Sequence, residues 1–323
     1  MKDFGFREVL GLMVKTAPFL VFRLLIYLGI TVGFVVFAGV GAGIGYGIGS
    51  IAGQPGGGGL LGGLVGFGIA GGVLHLLREY LLYIVKAGHI AVLVEVSEGR
   101  GIPGGKAQIT WAREKVQERF VQSTVLFGVD QLIKGILRAF NRAFLSIASF
   151  IPIPGLQKMV NILNTIVNLS LTYLDEVILA YLMKTRATNP WGASRTALIL
   201  YAQNYKAFVK NAAWLAAFIW GLTALVFLLV LGPAALIVNL LPGTAGILPL
   251  ILALVLAWGI KQAVIEPIGM TALMQVFFKV TAGKTPNPEW ESKLNSVSSK
   301  FKELTDKARS WDEGQAPAPV AEA

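Results

Sequence analysis

Residues 156–184 read LQKMVNILNTIVNLSLTYLDEVILAYLMK. The run is long and apolar enough for a helix at membrane depth. Asn161, Asn164, Asn168, Thr172 and Asp175 recur at steps of three and four, with Glu176 alongside. At 3.6 residues per turn these side chains share one face, and Ile162, Val167, Ile178 and Leu182 fall largely elsewhere. Amides and carboxyls are costly in hydrocarbon unless they meet protein partners or water. A polar seam of this length is therefore expected to turn inward.

Immediately upstream, TVLFGVDQLIKGILRAFNRAFLSIASF (124–150) carries Asp130, Lys134, Arg138 and Arg142 at steps of four, one ionic stripe on an apolar helix. IPIPG at 151–155 breaks the helix. If the chain folds back there, Asp130 and Lys134 lie level with Thr172–Glu176, Arg138 with Asn168, and Arg142 with Asn164. Three readings of this pair stand side by side: a buried network that only locks two helices, a wet cavity or solute path, and a hairpin lying in the membrane interface.

Composition places these helices in an integral membrane protein. Of 323 residues, 54% are hydrophobic and 14% charged, and the mean hydropathy is +0.65. The net charge of +10 suits cytoplasmic loops that follow the positive-inside rule. The basic residues are spread out and no nucleic-acid module accompanies them, so no nucleic-acid partner is expected. With no cysteine, disulfides, thiolate metal sites and cysteine nucleophiles are excluded. The start, MKDFGFREVLGLMVKTAPFLVF, has Asp3 and Glu8 interrupting it and lacks the pattern of a cleaved signal.

The chain then divides as follows. Residues 1–16 are expected as an interfacial helix and 17–98 as a glycine-rich transmembrane hairpin turning at QPGGGG, 54–59. Arg23 is placed to snorkel at the end of the first span. The rows Gly39/Gly43/Gly47 and Gly41/Gly45/Gly49, with Gly62/Gly66 and Gly68/Gly72 on the second helix, suit close helix approach better than a phosphate loop, since no strand precedes and no Lys-Ser/Thr follows. Residues 99–123 read as a cytoplasmic amphipathic helix, 124–184 as the polar hairpin, and 185–283 as a second transmembrane hairpin with 233–246 as an outer loop. Tyr201, Tyr205 and Trp214 are placed as interfacial anchors. In 284–311 the apolar positions from Trp290 to Trp311 step by four and three, a heptad seam expected to dock on a partner subunit or the membrane. The tail, 312–323, is expected to be disordered. The expected fold is an all-α integral membrane protein, a polytopic bundle of about six membrane-embedded helices with amphipathic surface helices. Both termini are expected on the cytoplasmic side of a plasma (inner) membrane.

No catalytic constellation is complete: GxSxG, HExxH and Walker patterns are absent. No enzyme activity, cofactor or metal is expected. His75 and Glu79, four apart, lack the carboxylate cluster of a metal site. Lys261 and Glu266 are either an internal pair or a solvated helix end. The favoured function is a polar pathway for a small solute or ion, lined by the seam and the stripe. Counting Lys134, Arg138, Arg142 and Lys158 against Asp130, Asp175 and Glu176, the cations exceed the acids by one, which suits anions or polar solutes. The alternative is a scaffold without transport, oligomerising through its glycine faces and the 290–311 heptads and binding anionic lipid headgroups.

Overall fold

The computed structural model describes residues 3–119, 128–139, 165–166, 168–239 and 248–311, excluding side chains at 73–81 and a few other helical positions. Every element among them is helical: α1 (Phe6–Lys15), α2 (Ala17–Ile51), α3 (Pro55–Ser97), α4 (Lys106–Arg119), α5 (128–139), α6 (Leu174–Thr185), α7 (Pro190–Gln203), α8 (Tyr205–Asn239), α9 (Leu248–Ile260), a π-helical turn (Lys261–Ile265), α10 (Glu266–Thr281), α11 (Pro288–Val297) and α12 (Ser299–Arg309). Among the described residues two helices are long and apolar enough to cross a membrane, Tyr205–Asn239 and Pro249–Thr281. A third span results if Phe6–Lys15 and Ala17–Gly33, bent by 74° at their junction, count as one. The expected turn 151–155 and the tail from 312 lie outside the described residues.

The chain forms two compact units. The second comprises Phe19–Val85 and Gly221–Glu266. Its hairpin closes on glycine. A Cβ at Gly41 would lie 2.2 Å from the Gly62 carbonyl oxygen, one at Gly45 2.1 Å from that of Gly58, and one at Gly66 2.1 Å from that of Phe37. Only hydrogen fits between backbones this close. Gly39, Gly43 and Gly47 have open space instead. The turn is shorter than QPGGGG: the bend is Ala52–Gln54 with Gly53 at φ +73°. Pro55 opens α3, because its fixed φ suits the first helical position and no N–H is needed there. Val21, Leu25, Val32, Leu64, Leu228 and Leu236 stand exposed on this unit's helices, an apolar surface of the kind that faces lipid or a partner.

Pro267, the residue that follows this unit's last, Glu266, shapes the turn that ends it. It has no N–H and its ring collides with the carbonyl four residues back, so the preceding helix widens. The Glu266 N–H reaches the Lys261 carbonyl, five residues back. By the same step the Gln262 carbonyl would need the missing N–H of Pro267. Arg23 supplies the donor, its Nη2 lying 2.9 Å from the Gln262 oxygen. Arg23 is thus buried rather than snorkelling, because an orphaned carbonyl holds it inside. Tyr27 stacks edge-on against Trp258 at 5.7 Å.

The first unit comprises the described residues of Met1–Pro18, Lys86–Trp220 and Pro267–Ala323. Helices α6, α7 and α10 are buried on nearly every side, and Phe277 meets Tyr181 at 5.6 Å and Phe208 at 5.9 Å. Gly269 lets α10 pass Tyr173 and Ile219, whose atoms stand 2.9 Å from where its Cβ would be. α1 buries Val9, Leu12 and Met13, and its Phe6 packs edge-on against Phe218. At its end Thr16 meets the buried His89 ring at 3.0 Å.

Three expectations change here. Tyr201 is no interfacial anchor: it is buried, hydrogen bonded to Ser170, and burial pushes its hydroxyl up to about 12. The start of the expected outer loop is helical, because α8 continues through Pro233 to Asn239. The 290–311 heptads are not one helix. Ser298 adopts extended backbone (φ −143°, ψ 112°), and its hydroxyl accepts the Phe301 N–H at 3.2 Å, capping α12. The seam residues Leu294, Phe301 and Leu304 are buried within the chain, where Arg195 pairs with Glu291 and Asn189 Nδ2 donates to the Ala308 carbonyl at 2.8 Å.

Candidate functional site

Helix α6 begins afresh at Tyr173, whose φ −99° and ψ 1° depart from helical values. The interruption divides the seam. Asn168 and Thr172 precede it and are exposed, and the Thr172 hydroxyl donates back to the Asn168 carbonyl at 2.7 Å. Asp175 and Glu176 follow it, in the first turn of the new helix, where the macrodipole favours negative charge. Among the described seam residues the inward face is therefore confined to the carboxylates. Asn161, Asn164 and Arg142 lie outside the described residues.

Glu176 is buried, and Lys86 of α3 donates to its Oε1 at 2.6 Å. The Asp175 carboxyl is next to that of Glu176. On α5, Asp130 is buried and pairs with Lys134 one turn on at 2.7 Å. Asp130 lies within electrostatic reach of Glu176 and Lys86. Arg138 is exposed and its Nε donates to the Lys134 carbonyl at 3.2 Å. Among the described residues the cluster thus brings the carboxylates of Asp130, Asp175 and Glu176 together with the ammonium groups of Lys86 and Lys134. The charge count from the sequence does not include Lys86, and its Arg142 and Lys158 lie outside the described residues.

Asp175 Oδ1 and Glu176 Oε2 are buried with no donor from another described residue, and the two carboxyls lie within hydrogen-bond reach of each other. A buried carboxyl oxygen without a donor is rare, and persists where a proton, water or ligand visits or where strain is tolerated. Among the described residues no three acidic or histidine side chains converge closely enough to hold a metal ion.

Lys86 is the member sequence reasoning missed. The signal was a lone lysine within LLYIVKAGHIAVLV, since a cation in such a run calls for a buried counter-charge. Of the secondary candidates, Lys261 and Glu266 form an ion pair built by the π turn, which brings residues five apart to one side. His75 and Glu79 fall within α3, and their side chains lie outside the described part.

Comparison with known proteins finds no matching family model, no matching curated protein and no matching solved structure.

Proposed function

We propose that this chain is a multi-pass membrane protein, with both termini on the cytoplasmic side of a plasma (inner) membrane, that passes a small polar solute or ion along the cluster of Lys86, Asp130, Lys134, Asp175 and Glu176. The observation that carries this reading is the pair of buried carboxyl oxygens, Asp175 Oδ1 and Glu176 Oε2, that no other described residue supplies with a donor. Groups of this kind in an apolar bundle mark pathways and proton relays. The apolar helices Tyr205–Asn239 and Pro249–Thr281 support the membrane placement.

The test is flux in sealed vesicles holding the purified full chain. Proton movement is followed with an entrapped pH dye, and small polar solutes by light scattering after an osmotic step. The expected result is flux in the parent that falls to background in Asp175→Asn and Glu176→Gln. Unchanged flux in both variants, with the protein folded, overturns the assignment to these carboxylates. Absence of any flux in the parent favours the scaffold.

A further inference from the structure

Asp175 and Glu176 adjoin in sequence, and on a regular helix adjacent side chains point about 100° apart. Here the two carboxyls lie within hydrogen-bond reach of each other. Each also keeps one buried oxygen, Asp175 Oδ1 and Glu176 Oε2, that no other described residue supplies with a donor. An ionised carboxylate only accepts, so two of them at this range repel and neither satisfies the other. A single proton between them changes both facts. The protonated group becomes a donor, and its ionised neighbour accepts.

The surroundings say which carboxyl holds that proton. Lys86 of α3 donates to Glu176 Oε1 at 2.6 Å, which favours charge on Glu176. The same ammonium acts on Asp175 only through its longer-range field, and Asp130 of α5 opposes charge there. Lys134, also on α5, is engaged by Asp130 at 2.7 Å. Asp175 is therefore the protonated member and Glu176 the ionised one. Asp175 is half-buried whereas Glu176 is buried, so the proton rests on the side nearer water.

We propose that the ion carried by this site is the proton, held between Asp175 and Glu176 as one shared hydrogen. The inference rests on the pathway reading above and narrows its cargo. Glu176 takes up an incoming proton as Asp175 releases the one it held. The proton on Glu176 then crosses the short bond to Asp175, which restores the starting state. One proton enters, one leaves, and no other reactant is consumed. A metal cation would need both carboxyls ionised and open, and Lys86 already engages one of them.

Infrared spectroscopy of the purified full chain reads the proton directly. At neutral pH a protonated-carboxyl C=O band is expected, and heavy water should shift it. Aspartate with a heavy carbon in its carboxyl should displace the band, and labelled glutamate should not. That experiment uses the parent chain, so it does not hang on a variant folding. Asp175→Asn, whose amide donates in place of the acid, should lose the band, and Asp130→Asn should keep it. In sealed vesicles the parent should collapse a pH gradient, and Asp175→Asn should not. Absence of the band, its displacement by labelled glutamate alone, or its survival in Asp175→Asn overturns the assignment. Solute movement without proton movement overturns the proton as cargo and leaves the pathway reading standing. A band in a chain that passes neither proton nor solute overturns the cargo and the pathway together.

Discussion

Lys86 and Glu176, 90 positions apart, meet at 2.6 Å, and the contact ties α3 to the first turn of α6. The carboxylate is buried and the ammonium is 36% exposed on its side chain, so water keeps hold of one partner only. Lys86→Met strands Glu176 without its counter-charge. Breaking a fully buried pair costs about 3–5 kcal/mol, and the exposure of Lys86 brings the expected loss to about 1–3 kcal/mol. The double variant Lys86→Met, Glu176→Leu should regain most of that, because apolar replacement of both partners is close to neutral. Thermal unfolding in detergent, followed by tryptophan fluorescence, decides it: a double variant no more stable than the single would show that the pair does not act as a unit.

Two glycines two positions apart should respond in opposite ways. A Cβ at Gly45 would stand 2.1 Å from the Gly58 carbonyl, whereas at Gly43 it meets nothing within 4 Å. Gly45→Ala must push the α2–α3 hairpin apart, with an expected loss of about 1–3 kcal/mol as for other overpacked sites. Gly43→Ala should be neutral or stabilising by up to about 1 kcal/mol through helix propensity. Equal melting temperatures for the two variants would contradict the packing described.

The pairing of Lys261 with Glu266 depends on the π turn. In a regular α-helix residues five apart point about 140° away from each other. Pro267→Ala restores a donor and lets the turn tighten. With no native cysteine in the chain, a Lys261→Cys, Glu266→Cys variant reports on this directly: a short thiol crosslinker should bridge the pair efficiently, and poorly once Pro267→Ala is added. Undiminished crosslinking would mean that Pro267 is not what widens the helix.

Asp3 gives the N-terminal segment an acid-dependent hold. Hydrogen bonds from Lys210 and Asn211 keep its carboxyl below the ordinary value of 3.8, with Lys210 Nζ at 2.6 Å and Asn211 Nδ2 at 2.7 Å. A folded-state value below the unfolded one means the contribution is whole above the unfolded value and is lost as pH falls through the folded one. Hydrogen exchange over residues 3–15, compared from about pH 6 down to about pH 3 with intrinsic rates corrected, should show protection falling at the acid end. Asp3→Asn should lower protection at neutral pH and flatten that dependence. An identical pH profile in the variant would assign the hold to other groups.

Much of this was legible beforehand. The spacing of Gly41, Gly45 and Gly49 describes a face that admits another backbone, and Pro267 marks a disturbed helix. The expected fold-back at 151–155 sets Asp130 level with Thr172–Glu176, and Asp130 does lie within electrostatic reach of Glu176. The seam was misread in one respect. A strict 3.6 period carries Asn168, Thr172 and Asp175 to the same side, but the backbone departs from that period at Tyr173, where no proline or glycine announces it. The heptads from Trp290 to Trp311 likewise describe an apolar stripe without saying what covers it.

Sequence alone determined the helical, apolar character of the chain and where its charges are rare, because periodicity and hydropathy are local quantities written in neighbouring residues. The partners of those charges were decided by tertiary structure. Lys86 finds Glu176, Arg23 finds the Gln262 carbonyl, and Leu294 and Phe301 are buried within their own chain. Each of these contacts depends on distances between segments far apart in the chain, which packing sets and no local pattern encodes.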